Sequence, residues 1–118
     1  MKIRNGYVSN SSSSSFIIKN ISNESKTIID FAKETSYLCE MFCDEYGYNN
    51  ESYNEKEYIK DAINRQLNKW GFSLPPNESV EYAFGDEDGD VIGTVCDYMM
   101  RIGGKTDSFS WRFFESLR

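Results

Sequence analysis

The chain has 118 residues, the length of one ordinary domain, and an aromatic content of 15% that argues against wholesale disorder. Its 19 acids against 13 bases leave a formal net charge of −6, so a phosphate backbone is repelled overall and nucleic-acid binding is disfavoured. The opening Met1-Lys2-Ile3-Arg4 carries no secretory leader and no run approaches the roughly 18 apolar residues of a membrane span, so the expectation is a cytoplasmic protein with no membrane partner.

Taken in chain order, the first element follows a serine run. Ser11 to Ser15 lie between a turn-like lead-in, Arg4 to Asn10, and the apolar burst Phe16-Ile17-Ile18. Bulky and β-branched residues bounded by polar ones predict a strand over Ser14 to Lys19, with Ser13 to Ser15 as its small-residue entry. Residues 1–13 then form a Ser-rich segment leading into that strand, within a single domain over 1–118. Lys2 to Val8 offers a hairpin partner through an exposed turn at Ser9 to Ser12, and the hydroxyls of Ser11, Ser12 and Ser13 offer a surface for binding or covalent modification.

After Asn23, the positions Ile28, Phe31/Ala32, Thr35, Leu38, Met41/Phe42 and Glu45/Tyr46 fall near a period of 3.6, which predicts a helix with a break near Thr35 and a stop at Gly47. Tyr48 to Tyr53 reads as an Asn-rich loop. Asn54 with Glu57 three residues on is a capping arrangement, followed by the stripe Tyr58/Ile59, Ala62/Ile63, Leu67 and Trp70 and a stop at Gly71. Past Pro75-Pro76, the alternation of Val80, Tyr82 and Phe84 predicts a strand with one buried face. Val91/Ile92, Val95, Tyr98/Met99 and Ile102 return to helical spacing behind Asp90 as N-cap, with a strand as the competing reading, and Gly103-Gly104 stops it. Phe109, Trp111 and Phe113 alternate with Ser108, Ser110 and Arg112, as in a strand burying three aromatics. The order predicts an α+β fold, a small antiparallel or mixed sheet of about three strands packed with three or four helices.

Few side chains suggest chemistry. Asp86, Asp88 and Asp90 could supply oxygen ligands to Ca²⁺ or Mg²⁺, but the EF-hand loop requires Gly directly after the third acid, where Val91 stands. A solvated turn capping the next helix is the alternative. Cys39, Cys43 and Cys96 make an odd number, suited neither to a disulfide framework nor, without any histidine in the chain, to a structural zinc site. The missing histidine also removes the Ser-His and Cys-His schemes, so the reading leans away from an enzyme and expects no cofactor. Gly103-Gly104-Lys105-Thr106 resembles the end of a P-loop, but the first glycine of that spacing would fall on Met99.

Charge is the more informative pattern. Asp30 to Asp61 holds nine acids against Lys33, Lys56 and Lys60, and Glu78 to Asp90 holds six acids and no base. Such zones suit docking on a basic partner protein, with Glu55, Glu57, Asp86, Glu87 and Asp88 as contact residues. Tyr46, Tyr48 and Tyr53, set among Asn and acids, read either as interface anchors or as a loop folded back to bury them.

The stretch Arg4-Asn5-Gly6-Tyr7-Val8-Ser9-Asn10, the serine run and Phe16 resemble the start of a group of small bacteriophage and bacterial proteins with an Arg-x-Gly-aromatic-Val-Ser-Asn-polyserine-Phe signature. Ser108 to Leu117 is similar to the tail of some members, where a histidine often follows the strand; here there is none. The resemblance covers about 18 residues at one end and ten at the other and brings no activity, ligand or catalytic residue. It implies a phage or prophage accessory protein in the host cytoplasm, acting by non-enzymatic contact with a host or phage protein, as an inhibitor of a host defence or regulatory complex. The alternatives are a virion-associated component whose serine segment is an assembly arm or modification site, and a nucleotide-binding protein or enzyme using that segment as a phosphate loop.

Overall fold

The computed structural model describes residues 4–5, 13–85 and 89–116. In chain order the elements are β1 (Arg4–Asn5), β2 (Ser13–Asn20), β3 (Lys26–Thr27), α1 (Ile28–Thr35), α2 (Tyr37–Tyr46), α3 (Glu55–Leu67), β4 (Ser73–Leu74), β5 (Ser79–Gly85), α4 (Val91–Met99), β6 (Gly104–Lys105) and β7 (Phe109–Ser116). The class is α+β. The main sheet is larger than predicted, five strands in the order β1-β5-β2-β7-β6, mixed because β1 runs parallel to β5, and β3 pairs with β4 in a separate ribbon. No helix among the described residues is long and apolar enough to cross a membrane.

Local signals explain where elements start and stop. Thr27 caps α1 in a reciprocal box with Asp30, and Thr27 Oγ1 accepts the Ile29 amide at 3.2 Å. The break near Thr35 is a change of helix at Ser36. Gly47 closes α2 at φ 73°, a left-handed cap that glycine adopts without strain, and its amide donates to the Cys43 carbonyl at 2.8 Å. Asn54 Oδ1 accepts the Glu57 amide at 2.9 Å at the start of α3, and Asp90 Oδ1 accepts the Gly93 amide at 3.0 Å at the start of α4, which settles Val91–Met99 as helix rather than strand. Gly103, at φ 80°, ends the turn after α4, whereas Gly104 already belongs to β6, which pairs antiparallel with Ser110–Trp111 through a hairpin closed by the Thr106 amide on the Phe109 carbonyl at 2.7 Å.

Even positions of β2 face the helices. Phe16 lies opposite Tyr82 and Phe113, and Ile18 opposite Val80 and Trp111, so these two rows of the sheet face are apolar and mostly aromatic. Phe31 of α1 is its hub, with ring centroids 5.2 Å from Phe109, 5.8 Å from Trp111 and 6.0 Å from Phe72. Burial of one such ring contributes about 1.5–3 kcal/mol. The core contains Phe16, Ile18, Phe31, Phe42, Tyr58, Tyr82, Phe84, Ile92, Val95, Phe109 and Trp111.

Several expectations are corrected. β1 lies beside β5, not β2, because both edges of β2 are taken by β5 and β7; the hairpin reading fails. β5 is buried on both faces, since Glu81 and Ala83 are covered as well as Val80, Tyr82 and Phe84. In β7 only Phe109 and Trp111 are buried: Phe113 keeps its place opposite Phe16, with ring centroids 6.0 Å apart, but is more than a third exposed, and the bulge beyond it, between Phe113 and Glu115, breaks the alternation at the equally exposed Phe114. Helix α3 ends at Leu67, which is 75% exposed, and the stripe facing the core is Tyr58, Ala62 and Arg65. Ser13, Ser14 and Ser15 begin β2 as expected, but they are fully buried, and so Ser13 is not an accessible hydroxyl for modification. Ser11 and Ser12 lie outside the described residues.

Candidate functional site, an acidic cleft beside a tyrosine patch

The α1–α2 junction and the start of α3 are tied together by one contact, Ser36 Oγ donating to Glu55 Oε2 at 2.9 Å. Between these elements runs a cleft of about 480 Å³ lined by Ser36, Tyr37, Cys39, Glu40, Asp44, Asn50, Tyr53, Asn54 and Glu55. Glu40 and Asp44 are one helical turn apart on α2, which places both carboxylates on the same wall. The lining contains no Lys or Arg.

The opposite wall is the loop 48–54, which asparagine side chains hold in shape. Asn49 Oδ1 accepts the Glu51 amide at 2.6 Å, and Asn54 Nδ2 donates to the carbonyls of Asn50 and Glu51 at 2.9 and 3.0 Å. The loop folds back on α2. Tyr48 stacks on Phe42 with centroids 5.0 Å apart and planes 8° apart, Tyr53 packs on Phe42 at 5.1 Å, and Tyr46 and Tyr98 close the patch at 5.3 and 5.8 Å. Tyr46 and Tyr48 keep about half their surface in solvent, 47% and 51%. The loop thus folds back on Phe42, while Tyr46 and Tyr48 still present a face to solvent. On that face the guanidinium of Arg101 lies over the Tyr98 ring at 5.8 Å while bonding to buried Asp97 at 2.9 Å.

Cys39 lines the cleft, but burial, followed by Cys43, Glu55 and Asp61 nearby, pushes its thiol up to about 12. Burial and then Asp44 also raise Cys43, whose Sγ donates to the Tyr53 carbonyl at 3.4 Å. A thiol held in the protonated form is a poor nucleophile and metal ligand. Cys96 sits deeper, 3.0 Å from the buried Tyr58 hydroxyl, which in turn is 2.8 Å from Thr35 Oγ1. Burial raises both Tyr58 and Cys96, so this chain of groups is a neutral, packed polar thread.

Tyr53 also borders a second hollow of about 420 Å³, with Ser52, Glu57, Asp61, Gly89, Asp90, Val91 and Thr94. Here sequence reasoning missed the controlling residue. Arg65, 1% exposed, forks onto Asp90 with Nε at 2.8 Å and Nη2 at 2.9 Å, and its Nη1 donates to the Tyr82 hydroxyl at 3.0 Å. The guanidinium also lies over the rings of Tyr82 and Phe84 at 5.6 and 5.2 Å. Gly93 makes room for this pair: a Cβ there would meet Asp90 Oδ1 and the Gly85 carbonyl at 2.7 Å. The signal was in the stripe itself, because Tyr58, Ala62 and Arg65 follow the spacing of the buried face.

Of the acids proposed for metal or partner contact, Asp86, Glu87 and Asp88 lie outside the described residues. Both Asp90 oxygens are engaged, with Arg65 and the Gly93 amide. Among the described residues no group of His, Cys, Asp and Glu is arranged to hold a metal ion. Tyr53 and Glu55 meet in the cleft, Tyr46 and Tyr48 stand beside it, and Glu57 falls on the far side of Tyr53, where Asp61 accepts the Val91 amide at 2.6 Å. Comparisons with known proteins return no matching family model, no matching curated sequence and no matching solved structure.

Proposed function

We propose that this chain is a non-enzymatic interaction protein of the phage or prophage accessory type, whose acidic cleft seats a basic segment of a host protein in a defence or regulatory complex. The observation that carries the reading is the pairing of a cleft lined by Glu40, Asp44 and Glu55, with no cation in its wall, and a half-exposed tyrosine patch beside it. Carboxylates steer and orient a basic partner, and tyrosine rings give rigid contact area to stack its guanidinium groups. Arg101 over Tyr98 is an internal instance of that stacking. The accessory role itself is drawn from the resemblance of residues 1–18.

The test uses the Glu40→Lys/Asp44→Lys double variant, both positions being exposed on α2. A nona-arginine peptide titrated calorimetrically should bind the parent protein and lose at least about tenfold in affinity with the variant, roughly 1.4 kcal/mol. In parallel pull-downs from bacterial lysate, a stoichiometric partner should be retained by the parent and lost by the variant. Equal peptide binding by both proteins, or partner recovery indifferent to the reversal, would overturn the assignment.

A further inference from the structure

The sheet face turned away from the helices carries a different patch. Two cross-strand rows lie next to each other there: Ser79, Lys19 and Ser110 in one, Glu81, Ile17 and Arg112 in the other. Between them is a groove of about 290 Å³, lined by Ile17, Lys19, Ser79, Ser110, Trp111 and Arg112. Lys19 and Arg112 are exposed diagonal neighbours on adjacent strands, a spacing at which long side chains reach the same point. Neither makes an ion pair among the described residues. The carboxylate in the adjoining row, Glu81, is buried and accepts the Ser15 hydroxyl at 2.9 Å.

Like charges side by side are unfavourable on a sheet, and a chain of net charge −6 has acids to spare for neutralising them. Here none lines the groove. We infer that the groove is a binding site for the phosphoryl group of a small phosphorylated molecule. The guanidinium fork supplies paired N–H donors, the ammonium a point charge, and the hydroxyls of Ser79 and Ser110, one on each side of Lys19, two further donors around Ile17 as an apolar floor. The volume is at the small end for ligand pockets, which suits a phosphoryl group with few attached atoms. An extended polyanion would have to cross a surface whose overall charge repels it. The site is on the opposite side of the sheet from the acidic cleft and does not depend on it.

Backbone amide shifts are the direct readout. Inorganic phosphate, pyrophosphate and glycerol phosphate are titrated into the full chain at constant ionic strength set with potassium chloride. The expected result is saturable shifts clustered at Ile17, Lys19, Ser79, Ser110 and Arg112. A greater response to glycerol phosphate than to inorganic phosphate assigns an ester as the ligand, and the reverse order assigns the free anion. The Lys19→Gln/Arg112→Gln variant, altered only at exposed positions, should keep its melting temperature and lose about tenfold or more in apparent affinity. Three results would overturn the site: shifts matched by chloride alone, an unchanged response in the variant, or shifts at these amides that grow with protein concentration without phosphate, which would mean that a second copy occupies the groove.

Discussion

The two sides of the sheet handle charge in opposite ways. On the helix side the cation Arg65 is buried and fixed by Asp90, Tyr82 and two aromatic faces, and the carboxylates of Glu40, Asp44 and Glu55 are left around the cleft. On the other side the anion Glu81 is buried against Ser15, and the cations Lys19 and Arg112 are left around the groove. On each side the buried Arg65 or Glu81 is opposite in sign to the charges that line the hollow. A buried, fully bonded charge belongs to the fold, because removing its partner strands it in a medium that solvates it poorly. The charges available to outside molecules are those that the fold leaves unmatched.

Three substitutions break or sharpen this contrast. Arg65→Ala should have the largest effect, about 3–5 kcal/mol of stability in urea unfolding, since it strands Asp90 and removes the packing on Tyr82 and Phe84. A loss below about 1 kcal/mol would place Arg65 with the solvated surface charges instead. Glu81→Ala should cost less, about 1–3 kcal/mol, by leaving the buried Ser15 hydroxyl without its acceptor. If phosphate binding in the groove also strengthens, Glu81 is felt there despite its burial.

Asp61→Asn should give the smallest change and a distinctive pH dependence. Burial, with Asp90 and Glu57 adding repulsion, raises the Asp61 carboxyl above its ordinary value of 3.8 against the opposing pull of the Val91 and Ile92 amides. The folded state thus holds this proton to higher pH than the unfolded chain. Its burial penalty is absent below the ordinary carboxylate range and grows as pH rises through that range to the raised value. Relative to the parent, the Asp61→Asn variant should gain stability over that window and show no relative gain below it, as read from melting temperatures at successive pH values. A flat difference would mean that Asp61 is solvated like Glu40 and Asp44.

Much of the architecture was legible because it depends on neighbours in sequence. Asn54, Asp90 and Gly47 act within a turn of their own position, and each ends or begins a helix where the sequence predicts it. What depended on distant partners was not legible. The covering of Glu81, the placing of β1 beside β5 and the bulge that follows Phe113 are decided by strands far apart in the chain. Arg65 shows the limit most directly, since a pattern that counts only apolar residues passed over it and chose Leu67. The cleft was half legible: Tyr53 and Glu55 were identified, whereas Glu40 and Asp44 join them only because α2 folds back along α3. The groove on the open face had no sequence signature, because Lys19, Ser79, Ser110 and Arg112 come together through strand register alone.

The position of β2 at the middle of the sheet also bears on how the molecule is made. Its two neighbours are β5 and β7, so Phe16-Ile17-Ile18 has no strand to pair with until residues 79–85 have been synthesised, and a second one only after residues 109–116. Local helices form early and non-local strand pairing forms late. During translation the chain therefore carries helices ahead of a sheet, with its apolar central strand waiting and open to mispairing. The small polar residues Ser13 to Ser15 directly before it lower the β-forming and apolar content of that stretch while it waits.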